Sequence, residues 1–483
     1  MQKTTIGRNF IMNSVLTLSA ILFPLITYPY ASRVLGPANI GKVTFATSVV
    51  TYFGMIAQLG IPSYGIRACA KVQDNKEELS RTAQELLLLN LVMSVLAYAG
   101  LFLMIRLVPS IQSERSLYYV MSSLIILNTI GMNWLYQGVE EYSFIAAASA
   151  IAKLAALGLM FLTVKSQGDY VVYAALSVLA GSGACLLNLF HARKMISFRH
   201  FRTYNIRRHI KPVLVFFAMA CATIIYTNLD TLMLGVMTDD AAVGYYNTSV
   251  KIKAALVAIV TSLGTVLMPR ASYLLEHGSE KEFHRICRLS VTCVLFSSIP
   301  LAVFFMTFAS PSVLVLSGRK FLPAVPAMIV ITPTVPLIGL SNITGLDMLV
   351  PMGGEKKVLY SSIAGALTDL LLNALLIPKF GSAGAAAGTL AAEAAVLAVQ
   401  VIALRQQGIG AMHEMLDGKD AGKVLLATVA ALAMTFWIRQ TAWNPLLQLP
   451  AAAVIFFGSY YAVLLVMREN AALMIRHKLL RQR

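Results

Sequence analysis

The chain is 483 residues long, 58% hydrophobic and 13% charged, with a mean hydropathy of +0.72 and a formal net charge of +17. Soluble domains carry about a quarter charged residues, so an ordinary globular fold is excluded. The period-2 alternation of a membrane barrel is missing too, which leaves an all-α polytopic membrane protein.

A helix of about 20 apolar residues crosses the hydrocarbon layer, and about fourteen such segments follow one another along the chain. The first group is 10–31, 40–61, 84–105, 117–136, 144–164 and 170–190. Pro24 and Pro29 predict a bent or broken first helix. That segment is too long for a signal-peptide core and lacks a small-residue cleavage site, so it reads as a retained span. The second group is 212–235, 246–268, 288–308, 322–344, 358–377 and 383–404, with two more segments at 423–440 and 449–467.

The junction between the first two segments reads Pro29-Tyr30-Ala31-Ser32-Arg33-Val34-Leu35-Gly36-Pro37-Ala38-Asn39-Ile40-Gly41. A related phrase opens the second group: Asn228-Leu229-Asp230 through Leu234-Gly235, then Val243-Gly244-Tyr245-Tyr246. Aligning Gly41 with Gly244 also places Arg67 on Arg270. The expectation is two related six-helix bundles, 1–200 and 201–408, followed by two added helices and a basic tail, 409–483.

The distribution of positive charge predicts orientation. The N-terminus, the even-numbered loops and the C-terminal tail carry roughly three times as many Lys and Arg as the odd-numbered loops. Both termini are therefore expected in the cytoplasm. The densest basic run is Arg193-Lys194, Arg199, Arg202, Arg207-Arg208 and Lys211, between the sixth and seventh spans. It reads as a topological anchor beside anionic lipid, and nucleic acid is excluded as a partner.

Cys69, Cys185, Cys221, Cys287 and Cys293 have no metal or disulfide spacing, and no GxxxxGK[ST] motif provides for ATP hydrolysis. No catalytic constellation or resident cofactor is expected. An energy source would be the substrate's own gradient or a coupling proton or sodium ion.

Ionisable groups inside spans are costly and mark candidate sites. Lys251 shares a face of small and polar residues with Ala255, Ala258, Ser262 and Thr265, whereas Lys253 faces elsewhere and snorkels. Lys153 lies mid-span beside Ala146, Ser149 and Ala156. Arg33 and Lys42 sit at the ends of the first two spans. For these cations a substrate cavity stands against structural ion pairs or interface anchoring. Asp230 ends a polar stripe formed by Thr223 and Thr227, at a depth similar to Lys251, so the two form a candidate gate pair or ion pair. Asp369 and Glu393, with Asn373 near the first, are candidates for ion coupling or for helix–helix hydrogen bonds. Glu85 stands at a span end. Asn128, Asn133 and Gln137, near Trp134 and Tyr136, suit sugar hydroxyls and ring faces, and equally suit packing between helices.

The junction residues, together with Phe45-Ala46, Tyr52-Phe53, Leu59-Gly60-Ile61-Pro62, Tyr64-Gly65-Ile66-Arg67 and Asp74-Asn75-Lys76, carry a family resemblance. The chain resembles the polysaccharide repeat-unit flippases (Wzx-type) of the multidrug/oligosaccharidyl-lipid/polysaccharide exporter superfamily. The resemblance implies two bundles around a central cavity in a bacterial plasma membrane, working by alternating access. It implies undecaprenyl-pyrophosphate-linked oligosaccharide as cargo, membrane lipid as surroundings, and polysaccharide polymerase machinery as a partner. Lys153, Lys251, Arg33 and Lys42 would then face the pyrophosphate. A lipid II flippase and a cation-coupled multidrug exporter share the fold. A membrane glycosyltransferase would need a catalytic carboxylate or a large outer loop, and the chain is read as not an enzyme.

Overall fold

The computed structural model describes residues 6–199, 201, 203–262, 273–274, 279–407, 418–439, 441 and 443–467. Thr265, Arg270, Arg202 and the whole basic tail, 468–483, lie outside them. Among the described residues all regular structure is helical. Ten helices among the described residues are long and apolar enough to cross a membrane, or up to eleven if the bent pair Arg319–Ile331 and Thr334–Leu349 is one span. The difference from about fourteen sits in three places. The expected first two spans form one 60-residue stretch, Met12–Lys71. The fourth is a 17-residue helix, and the eighth runs into residues outside the described set.

The chain forms two compact units, Met1–Leu232 and Met233–Arg483. The first contains α1 (Ile6–Gln58), α2 (Ile61–Lys71), α3 (Lys76–Leu107), α4 (Pro109–Ser113), α5 (Arg115–Gly131), α6 (Asn133–Gly138), α7 (Tyr142–Thr163), α8 (Tyr170–Ser182), α9 (Ala184–Met195) and most of α10 (Arg207–Met237).

The sequence punctuates α1 at one residue. Gly36 has φ 78 and ψ 173, and the residues on either side are helical. Proline forbids the helical region to the residue before it, and only glycine adopts this φ without strain, so Gly36-Pro37 divides α1 into two arms. The related Leu234-Gly235 does not repeat this geometry, because positive φ is absent there. In that copy α10 continues to Met237, and the next helix is capped by Asp239, whose carboxylate accepts from Ala242 N at 2.7 Å.

Leu59 (φ 46) and Gly60 (φ 72) turn the chain out of α1, and Pro62 starts α2. Asn75 then caps α3 by accepting from Glu77 N and Glu78 N. Leu59-Gly60-Ile61-Pro62 is thus a turn and Asn75 a cap, whereas Tyr64-Gly65-Ile66-Arg67 lies inside α2. A core of Val43, Ala46, Val50, Leu101, Met121 and Ile125 joins α1, α3 and α5. A second, with Ile61, Cys69, Leu86, Trp134 and Leu135, joins α2, α3 and α6.

The second unit contains α11 (Asp240–Thr261), α12 (Glu280–Thr307), α13 (Ala309–Ser317), α14 (Val325–Ile331), α15 (Thr334–Asn342), a π-helical turn (Ile343–Leu349), α16 (Glu355–Phe380), α17 (Ser382–Gln406), α18 (Gly418–Arg439) and α19 (Pro445–Val466). Small residues let α16 and α17 approach closely. A Cβ on Gly384 would lie 2.6 Å from the Leu376 carbonyl carbon. Phe304, Phe308 and Phe456 pack with Ala427 and Ala431 to seat α18 and α19 on α12.

Candidate functional site

Inside the first unit lies a cavity of about 590 Å³. Its polar lining includes Thr51 and Gln58 from α1, Asn128 from α5, and Asn133 and Gln137 from α6, with Trp134 beside them. The break that forms this wall is at Met132, whose left-handed φ of 43 interrupts the expected fourth span. A non-glycine residue held there stores strain, a pattern that concentrates at functional sites. Neighbouring helices then fix the amides. Asn128 Oδ1 accepts from Ser182 Oγ at 2.9 Å, and Asn133 Oδ1 accepts from Asn188 Nδ2 at 2.7 Å. Tyr136 Oη donates to Asn188 O at 2.6 Å and anchors the same corner. Asn133 is exposed and Gln137 half-buried.

The structure therefore brings Asn128, Asn133 and Gln137 to one cavity wall. It does not bring the cations there, and none of the lining residues is charged. Lys42 Nζ pairs with Glu114 Oε1 at 2.5 Å, lies 5.3 Å from the Tyr170 ring centre, and Tyr170 Oη donates to Glu114 Oε2 at 2.6 Å. Arg33 is exposed, with Nη1 donating to Pro29 O at 2.6 Å. Lys153 Nζ donates to Ser19 Oγ at 2.7 Å, tying α7 to the first arm of α1. Asp230 is buried in the first unit, and Lys251 is half-buried on α11 of the second. Asp369, Asn373 and Glu393 are buried between α16 and α17, where a Cβ on Gly388 would stand 2.9 Å from Asn373 Cγ and 3.2 Å from Asp369 Oδ1.

A polar cluster appears where sequence reasoning saw a span end and a lipid anchor. The Glu85 side chain is fully buried. It accepts from Arg208 Nη2 at 2.8 Å, Arg208 Nε at 3.0 Å, Arg81 Nε at 3.3 Å and Asn205 N at 2.7 Å. His209 Nε2 lies 2.8 Å from Glu85 Oε2, and its Nδ1 lies 2.8 Å from Tyr64 Oη. Gln84 Nε2 donates to Ser197 O at 2.6 Å, and Tyr204 Oη donates to Gln84 Oε1 at 2.7 Å. Part of the basic run is thus a clamp that fastens the connection between α9 and α10 onto α3. The signal in the sequence was the i,i+4 spacing of Arg81 and Glu85.

Residues 6–275 match the family model described as polysaccharide biosynthesis protein. The chain belongs to that family. Within it, the chain is 26% identical over 405 residues to the "Putative O-antigen transporter" of Escherichia coli (strain K12), covering 83% of this chain and 97% of that one. It is 27% identical over 373 residues to the protein of the same name from Shigella dysenteriae, covering 75% and 91%. The fold is shared with the inward closed conformation of the lipid II flippase MurJ, at a TM-score of 0.74 and 16% identity over 95% of this chain and 98% of the other. An inward-facing multidrug resistance MATE family transporter of the MOP superfamily gives a TM-score of 0.61 at 14% identity, covering 83% and 98%. This member of the polysaccharide biosynthesis family therefore has the MurJ and MATE transporter fold.

Lys153 separates two roles within this family member. Lys153→Ala removes both the charge and the bond to Ser19, whereas Lys153→Gln keeps a donor without charge. If the ammonium serves anionic cargo, both variants lose transport at matched protein levels and Lys153→Arg retains it. If the bond to Ser19 is the role, Lys153→Gln transports normally and Lys153→Ala melts at lower temperature, by about 1 kcal/mol.

Proposed function

We propose that this protein is a flippase that carries an undecaprenyl-pyrophosphate-linked oligosaccharide repeat unit from the inner to the outer leaflet of a bacterial plasma membrane, for O-antigen, capsule or exopolysaccharide synthesis. The observation that carries the reading is the cavity of the first unit. Its wall of Gln58, Asn128, Asn133 and Gln137 with Trp134 is uncharged and offers amide donors and acceptors. Such a surface suits the hydroxyl and acylamino groups of sugars, which need many directed hydrogen bonds and no counter-charge. The relatives named for O-antigen transport agree with that choice of cargo.

The rest of the proposal rests on the family resemblance and on the placement of charge along the chain. Alternating access moves the sugars, and both termini face the cytoplasm. Lys153, Lys251, Arg33 and Lys42 are the cations available to the pyrophosphate, Asp230 and Lys251 a gate pair, and Asp369 with Glu393 the acids available to a coupling proton or sodium ion. Polysaccharide polymerase machinery receives the product.

Proteoliposomes loaded with lipid-linked oligosaccharide of defined structure test the reading through protection from an external sugar-modifying enzyme. Each amide hydrogen bond contributes about 1 kcal/mol, so Gln58→Ala with Gln137→Ala, two cavity amides outside the Asn128–Asn133–Asn188 network, should slow transport about tenfold or more with unchanged folding. Normal transport by the double variant would remove the cavity from the mechanism. Equal transport of lipid II would replace the proposed cargo.

A further inference from the structure

The expected tenth span, 322–344, stops short of Asp347. In the structure the helical path continues past it as the π-helical turn Ile343–Leu349, closed by Val350 N donating to Gly345 O at 3.0 Å. This turn ends a broken segment, Arg319–Ile331 and Thr334–Leu349, whose halves meet at 45°. Asp347 is 3% exposed, and its Oδ2 has no hydrogen-bond partner. The polar groups around the turn are engaged with one another. Thr344 Oγ1 donates to Gln400 Oε1 at 2.6 Å, and Gln400 Nε2 donates to Ser361 Oγ at 3.2 Å.

The turn packs against α12, α15, α16 and α17. Among the described residues none of these elements supplies Asp347 with an ion pair. Lys357 of α16 donates to Ala403 O at 3.3 Å, and Arg285 of α12 pairs with Glu282. α15 has no titratable side chain, and on α17 the ionisable groups are Glu393 and Arg405. The titratable group in the field of Asp347 is the Cys287 thiol of α12, itself 1% exposed. A metal ion would need several donors, and no cluster of three His, Cys, Asp or Glu is found among the described residues. A proton needs one oxygen.

We propose that Asp347 is a proton-binding site and that loss of its proton opens the broken segment 319–349. The neutral acid fits a dry, unpaired position, whereas the carboxylate requires water or a cation. A π-helical turn beside a helix break is the element able to rearrange to admit them, and such turns concentrate at functional sites. The site belongs to the second unit and does not depend on the nature of the cargo.

Cys287 serves as the reporter in full-length protein whose other four cysteines are replaced by alanine. Maleimide labelling of Cys287, normalised at each pH to a free thiol, should rise several-fold as pH increases. The rise should vanish in Asp347→Asn, which has the shape of the neutral acid, and in Asp347→Leu, which cannot titrate. Difference infrared spectra over the same titration should show a protonated-carboxyl band in the unmodified chain that is missing from both variants and kept in Asp369→Asn. Flat labelling of the unmodified chain, the same rise in the variants, or a band lost with Asp369→Asn instead would each overturn the proposal. No transported substrate enters these measurements, so a failed flippase reading leaves their outcome unaffected.

Discussion

Gly60→Ala should lower stability by about 2–5 kcal/mol and deplete the protein from the membrane. Two costs add at this position. Gly60 holds φ 72, which costs an L-residue roughly 1–2 kcal/mol. A Cβ there would also lie against Phe217 N, 2.6 Å from Phe216 C and 2.9 Å from Phe217 Cα, and this α10 backbone cannot rotate out of the way. Overpacking of that kind costs about 1–3 kcal/mol. Gly36 separates the two contributions. Its φ of 78 with ψ 173 lies in a glycine-only region that costs an L-residue about 1–3 kcal/mol, yet the nearest atom to its Cβ would be Gln167 Nε2 at 3.9 Å. Gly36→Ala should therefore show the strain alone. Gly158→Ala, in open space at ordinary φ inside α7, should be neutral or stabilising by up to about 1 kcal/mol. Thermal unfolding of detergent-purified protein ranks the three variants. A Gly60→Ala protein as stable as Gly158→Ala would mean that α10 does not press on this turn.

Glu85→Ala should cost about 3–5 kcal/mol, because it leaves Arg208 and a buried His209 without their shared acceptor. Arg208→Ala should cost less, since Arg81, His209 and Asn205 N still serve the carboxylate. The double variant Glu85→Gln with Arg208→Gln should be more stable than Glu85→Ala, because it removes both charges together. The connection between α9 and α10 should loosen in step. Limited trypsin digestion at Arg199 and Arg207 reports it, and an unchanged cleavage rate in Glu85→Ala would show that the clamp does not hold this connection.

What the sequence made legible was the run of apolar segments, which fall on helices because unpaired backbone groups are not tolerated in lipid. The bend expected at Pro24 and Pro29 sits instead at Gly36, because both prolines lie within helical backbone and only glycine takes the φ that breaks α1 ahead of Pro37. Rotation about a helix axis was harder to read. Asn128, Asn133 and Gln137 share a wall partly because the left-handed Met132 re-aims the chain between them, and it is Met132, not the preceding Gly131, that takes the positive φ. Lys42 was legible as a charge near lipid, but its acceptor Glu114 lies 72 residues away and its aromatic neighbour on a third element. The pair is set by packing of whole helices, which no local pattern encodes. Asp347 was hidden because hydropathy ends a span where polar residues begin, whereas the backbone continues as a π-helical turn.

The single non-helical residue inside α1 also bears on how the chain enters the bilayer. Its two arms meet at Gly36, and the connection is so short that Asn39 Nδ2 reaches both Leu35 O at 3.2 Å and Gln167 O at 2.9 Å. A nascent chain with this junction has no hydrophilic loop to strand on the far side between its first two apolar stretches. The arms must pass from the insertion machinery into lipid together, and the orientation of the first is then fixed with that of the second. A defect in either arm is consequently a defect in the biogenesis of both.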